Sequence, residues 1–359
     1  MKKPVYIIAE AGVNHNGNFE LAKSLIEVAS SAGADAVKFQ TFKASKLANK
    51  NLTKAKYQED NTSTTNETQF EMLKKLELDI VNYHELKKLS DSLGIDFLST
   101  AFDEDSLNFL VDLGVNKLKI PSGEITNLPF IWKIAKSRKP LIVSTGMCSI
   151  SDVELALATI YHSHNSISEP KSLDEIWNMW SLKNEDMNFN ESINLLHCTS
   201  QYPAPLKEIN LKCIDTLHQA FNLPVGYSDH TDGIEVSIAA VARGASIIEK
   251  HFTLDKELEG PDHKASLDPI ELSSMIASIR NIEDALGSSI KNIQPCELNT
   301  RSAVRQQVIA AKEIKRGTTF LREDLSTKRC GSGLDPHFIW TLVGTQAKKD
   351  FQIGDIIEL

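Results

Sequence analysis

Eight short runs rich in β-branched and apolar residues recur along the chain: VYIIAE (5–10), DAVKFQ (35–40), DFLST (96–100), NKLKIPS (116–122), LIVST (141–145), INLLHC (193–198), PVGYSD (224–229) and SIIEKHF (246–252). Runs of this length and composition predict β-strands. The stretches between them carry apolar residues at helical spacing. Leu21, Leu25, Val28 and Ala29 trace one face that ends at Gly33, and Ile234, Ile238 and Val241 trace another that ends at Gly244. Glycine just past the last periodic position is a helix stop. Strands alternating with helices predict a parallel sheet. Eight such units within residues 1–286 match a (β/α)8 TIM barrel, with 268–286 (Ile270, Leu272, Met275, Ile276, Ile279, Ile282) as its last outer helix. A doubly wound open sheet is the rival, and the count of eight favours the barrel.

Two intervals exceed what a barrel needs. Residues 43–80, with NTSTTNET in the middle, read as a long loop carrying one helix. Residues 151–190, with Trp177 and Trp180, read as an extra outer helix or a lid. Periodicity lapses over 287–300, which reads as a linker. Short strand-like pieces and turn signals over 301–359 predict a second, compact domain.

Composition narrows the setting. The chain has 359 residues, 24% charged and 41% hydrophobic, with a formal net charge of -9. That balance provides no broad basic field for nucleic acid or anionic membranes. The start MKKPVYIIAEAG imitates a signal peptide, but its apolar run is short and includes Glu10. No run reaches the ~20 apolar residues of a membrane helix. Five dispersed cysteines without a CxxC pair fit free thiols in a reducing compartment, so the expectation is a cytoplasmic protein.

Barrel chemistry collects where strands end. Here the strand ends carry Glu10, Lys38 with Gln40, Thr100, Lys119 with Ser122 and Glu124, Ser144, His197 with Tyr202, Ser228 with His230, and His251. Lys38 and Lys119 interrupt apolar strands. Each either snorkels outward or faces an anion such as phosphate or carboxylate, and Ser122, Ser144 and Ser228 are hydroxyl donors for the same anion. His230 and His251 end neighbouring strands and suit an open catalytic divalent-metal site. His197 reads as a core histidine. Glu10 and Glu124 are carboxylates for proton transfer or for sugar hydroxyls. Asp262, in GPDHKASLDP, is either a further carboxylate near the metal or part of a turn.

The blocks IIAEAGVNHNG, AVKFQTFKA, FLSTAFDEDS, KIPSGEITNLP, STGM, LLHCTSQYPAP, GYSDHT, EKHFTLDK and GPDHKASLDP, in this order, resemble the bacterial sialic acid (nonulosonic acid) synthase family. The resemblance extends to the tail, which is similar to that family's antifreeze-like (SAF, β-clip) domain. It implies phosphoenolpyruvate bound by Lys38, Lys119, Ser122, Ser144 and Ser228. Mn2+ or Mg2+ would be held by His230 and His251. An open-chain N-acetylated amino sugar would lie among Glu10, Gln40, Thr100, Glu124, Tyr202 and Asp262. It also implies a domain-swapped homodimer in which Arg329 reaches the partner's sugar. The chain departs from the family at Cys330 in KRCGSG and at Ser200 in CTSQYP. Acceptors of the N-acetylmannosamine type and of the 2,4-diacetamido-trideoxy (legionaminate) type stand nearly level. A non-catalytic carbohydrate- or ice-binding protein is the reading from another class.

Overall fold

The computed structural model describes residues 3–62, 67–183 and 187–358. It divides into two compact units, Met1–Gly287 and Ser288–Leu359. The first is a closed barrel of eight parallel strands in sequential order: β1 (Tyr6–Gly12), β2 (Ala36–Thr41), β3 (Asp96–Ala101), β4 (Leu118–Ile120), β5 (Leu141–Ser144), β6 (Ile193–Cys198), β7 (Val225–Asp229) and β8 (Ile247–His251). Every strand falls on a run marked by the apolar pattern, and ring closure through the β1–β8 pair excludes the open sheet.

The helices of this unit are α1 (Phe19–Ala32), α2 (Ala44–Leu47), α3 (Lys56–Asn61), α4 (Gln69–Leu76), α5 (Ile80–Leu93), α6 (Glu104–Leu113), α7 (Leu128–Lys136), α8 (Ile150–Asn165), α9 (Leu173–Ser181), α10 (Met187–Ser192), α11 (Cys213–Phe221), α12 (Glu235–Ala242) and α13 (Pro269–Leu286). In α1 the Asn18 side chain caps the first turn by accepting from the amides of Glu20 and Leu21, and Gly33 ends the helix at φ 86°. Ala22, Leu25, Ile26 and Ala29 form its buried stripe. Each such Leu or Ile contributes about 1.5–3 kcal/mol of burial.

Two details of the sequence reading change. Among the described residues of 43–80 there are three short helices, α2 to α4, where the sequence reading had one. Ile270 is 77% exposed, because it opens α13 directly after Pro269, on the face opposite Leu272 and Met275. The 151–190 interval forms an outer layer. There Trp180 of α9 meets Tyr161 of α8 edge to face at 5.9 Å and donates from its indole nitrogen to Glu154 at 3.1 Å.

The barrel interior is layered. Ile8, Ala36, Leu98, Ile142, Leu196 and Ile247 form a separate apolar cluster, one residue from each of six strands. Strand side chains alternate between faces. Two positions further on, the same strands therefore present Glu10, Lys38, Thr100, Ser144, Cys198 and Glu249 above this floor, all of them buried. Gly226 of β7 makes the floor close. A methyl group there would stand 2.5 Å from the Ile247 carbonyl oxygen and 2.6 Å from a Leu196 methyl.

The second unit has its own core of Val308, Ala310, Ile314, Phe320, Leu325, Ile339, Leu342, Ala347, Phe351 and Ile357. Strands β9 (Gln306–Ala310) and β10 (Leu325–Arg329) pair antiparallel, and isolated bridges such as Ile314–Phe351 and Thr319–Gln346 lie outside them. Helices α14 (Leu298–Val304) and α15 (Ile339–Leu342) complete it, so part of the 287–300 stretch is a helical turn.

Gly226→Ala tests the floor. The added methyl meets backbone that cannot yield, and overpacking of this kind costs ~1–3 kcal/mol. The urea midpoint should fall accordingly, and an unchanged midpoint would refute the close approach.

Candidate active site

The strand register brings the predicted residues together at the C-terminal mouth. Glu10 pairs with Lys38 on one side and with His251 on the other, Gln40 with Thr100, and Thr100 with Lys119. Gly12, at φ 53°, follows a register shift in β1. A side chain there would stand 3.4 Å from each of Gln40, Glu10 and His251. The bare backbone at Gly12 lets these three groups converge.

Lys38 and Lys119 face inward, which rules out the snorkelling alternative. Their anion, however, is supplied by the protein. Lys119 Nζ lies 2.6 and 2.8 Å from the two oxygens of Glu249, and Ser228 donates to the same carboxylate at 2.9 Å. Lys38 Nζ lies 2.6 Å from Glu10, 3.6 Å from Glu249 and 3.1 Å from the Thr100 hydroxyl. All four charged side chains are almost fully buried. Burial pushes the Glu10 carboxyl up to about 7, against the pull of Lys38. Burial also raises Glu249, but Lys119, Lys38 and Ser228 outweigh it and hold this carboxyl well below the ordinary range. The two lysines respond differently. Burial lowers Lys119, whereas Glu10 and Glu249 lift Lys38 above its ordinary value despite burial. The short double contact between Lys119 and an ionised Glu249 decides for the charged pair.

Glu249 was not singled out from the sequence. It stands two residues before His251 in one strand, and period-2 alternation places the two on the same face. Three further residues belong here. A Cβ on Gly146 would lie 2.2 Å from the Ser200 hydroxyl, 2.8 Å from Ser122 and 3.2 Å from the Cys198 sulfur, so these groups form a polar cradle around bare backbone. Ser122 accepts from the Gly146 amide at 3.0 Å. Ser144 is buried at the end of β5. Glu124 is half-buried in the turn after β4 and accepts from the Asn127 side chain at 2.7 Å.

The His230 and His251 rings lie 5.6 Å apart, and the Tyr202 ring stands 4.1 Å from His230 and 5.6 Å from His251. His230 Nδ1 donates to the Thr199 carbonyl at 2.8 Å, which leaves its Nε2 lone pair free. His251 Nδ1 is buried without a hydrogen-bond partner among the described residues. Burial and the neighbouring His230 hold His251 well below the ordinary histidine range, so it is neutral. A buried orphan nitrogen beside a second oriented imidazole fits a divalent cation. The described residues provide no third His, Cys, Asp or Glu to close the site, so further positions fall to water or substrate. Asp262 is buried close enough to feel the charge of His230, and burial lifts it to about 6. His197 is a core histidine, with Nε2 2.6 Å from the Ile209 carbonyl.

Behind the mouth, the NHNG turn after β1 is tied to the loop after β8. Asn14 donates to the Phe252 carbonyl and to Ser266, and His263 pairs with Asn16 and Thr253. His15 is fully buried, accepts from the Gly17 amide at 3.0 Å, and is lowered to about 4 by burial and by His263. Arg329 lies exposed on β10 of the second unit, beside Gln306.

A histidine whose folded value is depressed binds its proton more readily in the unfolded chain. Stability from His15 is therefore complete above pH ~6.5 and lost as pH falls towards ~4. Denaturation curves across this window should show a loss of about 2–3 kcal/mol traceable to this residue. His15→Asn, which keeps an acceptor for Gly17, should flatten the slope; an equally steep slope in the variant would count against it.

The NeuB family model matches residues 25–291. The N,N'-diacetyllegionaminic acid synthase of Legionella pneumophila is 47% identical over 97% of this chain and 92% of its own length. The enzyme of the same name from Campylobacter jejuni is 46% identical over 99% of each. Among solved structures, the N-acetylneuraminic acid synthetase of Leptospira borgpetersenii, in complex with citrate, aligns with a TM-score of 0.66 at 33% identity, over 84% of this chain and 93% of that one. A match to the family model over most of the barrel, and relatives of this identity along nearly the whole chain, establish that it belongs to the NeuB family.

Proposed function

We propose that the protein condenses phosphoenolpyruvate with an open-chain 2,4-diacetamido-2,4,6-trideoxy sugar and water, giving a nine-carbon nonulosonic acid and phosphate. The observation that carries this reading is the convergence of Lys38 and Lys119 with His230 and His251 at one barrel mouth. Between the two acceptors that the sequence left level, the relatives at 47% and 46% identity favour the diacetamido sugar.

Lys38 and Lys119, with Ser122 and Ser144, hold the anionic groups of phosphoenolpyruvate, while the Ser228 hydroxyl, expected beside them, gives its one proton to Glu249. Gln40, Thr100, Glu124, Tyr202 and Asp262 surround the sugar. A divalent ion, Mn2+ or Mg2+, held by His230 and His251 supplies Lewis-acid polarisation of the sugar aldehyde. C3 of phosphoenolpyruvate forms the new bond to the aldehyde carbon, leaving positive charge at C2. Water adds to C2, and the tetrahedral intermediate expels phosphate with C–O cleavage. The lysines stabilise the anionic groups throughout. Of the two carboxylates proposed for proton transfer, Glu10 is the better base. It is buried, and its value of about 7 suits taking a proton from the attacking water near neutral pH.

The chain acts as a homodimer in this reading, with the antifreeze-like second unit serving the partner's barrel and Arg329 reaching its sugar. Ile290, Ile293, Leu298 and Val304 are exposed apolar residues on the connecting stretch, which suits coverage by a partner. Among the described residues no helix is long and apolar enough to cross a membrane. The five cysteines are free, which accords with a cytoplasmic setting.

Phosphate release from phosphoenolpyruvate, measured with the diacetamido sugar and with N-acetylmannosamine, with and without Mn2+, tests the reading. Release is expected with the first sugar and only with metal. His230→Ala should abolish it while leaving the circular-dichroism spectrum intact. Silence with every N-acyl amino sugar would point to a non-catalytic binding protein instead. Arg329→Ala should raise KM for the sugar by at least tenfold with little change in KM for phosphoenolpyruvate. Unaltered sugar kinetics would rule out the cross-subunit contact.

A further inference from the structure

We propose that Glu249 is a built-in place-holder for the substrate's anion: its carboxylate occupies the buried lysines in the free enzyme and yields Lys119 to the incoming anionic group. This deepens the proposed function, because it rests on Lys38 and Lys119 being the anion's partners.

Lys119 points both of its hydrogen bonds at the one Glu249 carboxylate, at 2.6 and 2.8 Å, and an ammonium has three protons to give. Lys38 is already shared among Glu10, Thr100 and Glu249. Lys119 and Glu249 form a buried pair that is electrically balanced before any substrate arrives. A balanced pair meets the requirement that a buried charge be paired. It is also a poor receptor for a multiply charged anion, which an unscreened carboxylate repels.

Both conditions are satisfied if Glu249 surrenders Lys119 when the anion enters and keeps its other partners. It has one ready: Ser228, on the neighbouring strand in register with Glu249, donates to Oε1 at 2.9 Å and holds the carboxylate when the lysine turns. Gly146 lets the hydroxyls of Ser122 and Ser200 draw close over bare backbone, and Ser122 accepts from its amide at 3.0 Å. Glu249 is thus a positioning residue. It keeps two ammonium groups charged and aimed in the empty site, at the cost of weaker ground-state binding of the anion.

The consequence separates this role from a purely structural one. Glu249→Gln keeps the shape and the hydrogen bond from Ser228 but removes the competing charge. Inorganic phosphate and phosphoenolpyruvate, titrated calorimetrically into the full-length protein, should bind about tenfold more tightly to this variant. Its kcat should fall at least a hundredfold as the lysines lose their alignment. Glu249→Asp, which retains the charge, should bind both anions within threefold of wild type. Unchanged or weaker anion binding in Glu249→Gln would overturn the proposal. Should that variant fail to fold, crystals of the wild-type protein with phosphate decide. Lys119 must then leave at least one Glu249 oxygen for the anion, and a bound phosphate with the Lys119–Glu249 contacts intact refutes the exchange. Absence of turnover with phosphoenolpyruvate would count against the proposed function alone, since phosphate still reports on Glu249.

Discussion

Two ammonium groups sealed inside a β-barrel have to be charge-balanced within the protein, and the rest of the mouth is arranged around that constraint. Lys38 and Lys119 come from strands that are apolar on either side of them. They survive burial because Glu10, on the neighbouring strand β1, and Glu249, from the far end of the barrel sequence, lie beside them. Ring closure, which sets β8 against β1, puts Glu249 within reach of β2 and β4, whereas Glu10 reaches Lys38 through the direct β1–β2 pairing. The barrel is therefore a precondition of the charge cluster as well as its container. Removing one partner of such a pair costs ~3–5 kcal/mol because the other is left buried and unpaired.

The histidine pair needs no such closure, since β7 and β8 are neighbours both in sequence and in the sheet. His230 and His251 end β7 and β8, and Tyr202, from the loop after β6, closes over them. The β1 turn and the loop after β8 are laced together by Asn14, Asn16 and His263, so the wall beside the histidines is stiffened from behind. Glycines do complementary work where groups must converge, at Gly12 beside Glu10, Gln40 and His251 and at Gly146 beside two serines.

The eight strands were legible because parallel barrel strands are buried on both faces and read as near-continuous apolar runs. The site was legible wherever a polar residue ended such a run. Glu249 escaped because the lysines' need for an anion had been assigned wholly to a ligand. A long-range pair between residues 119 and 249 leaves no local trace. Two of the three helices α2 to α4 escaped for a related reason: polar, irregular sequence hides helices only a few residues long. Ile270 carried the right chemistry and the wrong face, since one apolar residue more or less does not move a periodic pattern. Ser200 stood out in the sequence only as a departure in CTSQYP, and its place against Gly146 needed the fold.

The apolar floor closed by Gly226 makes the barrel a blind well. Glu249 and Ser228 sit one interior layer below His251 and His230, so the Lys119 ammonium lies deeper than the imidazoles. A molecule held by Lys119 would lie beneath one held by the imidazoles, so the interior layer of a residue sets how deep its partner reaches into the well.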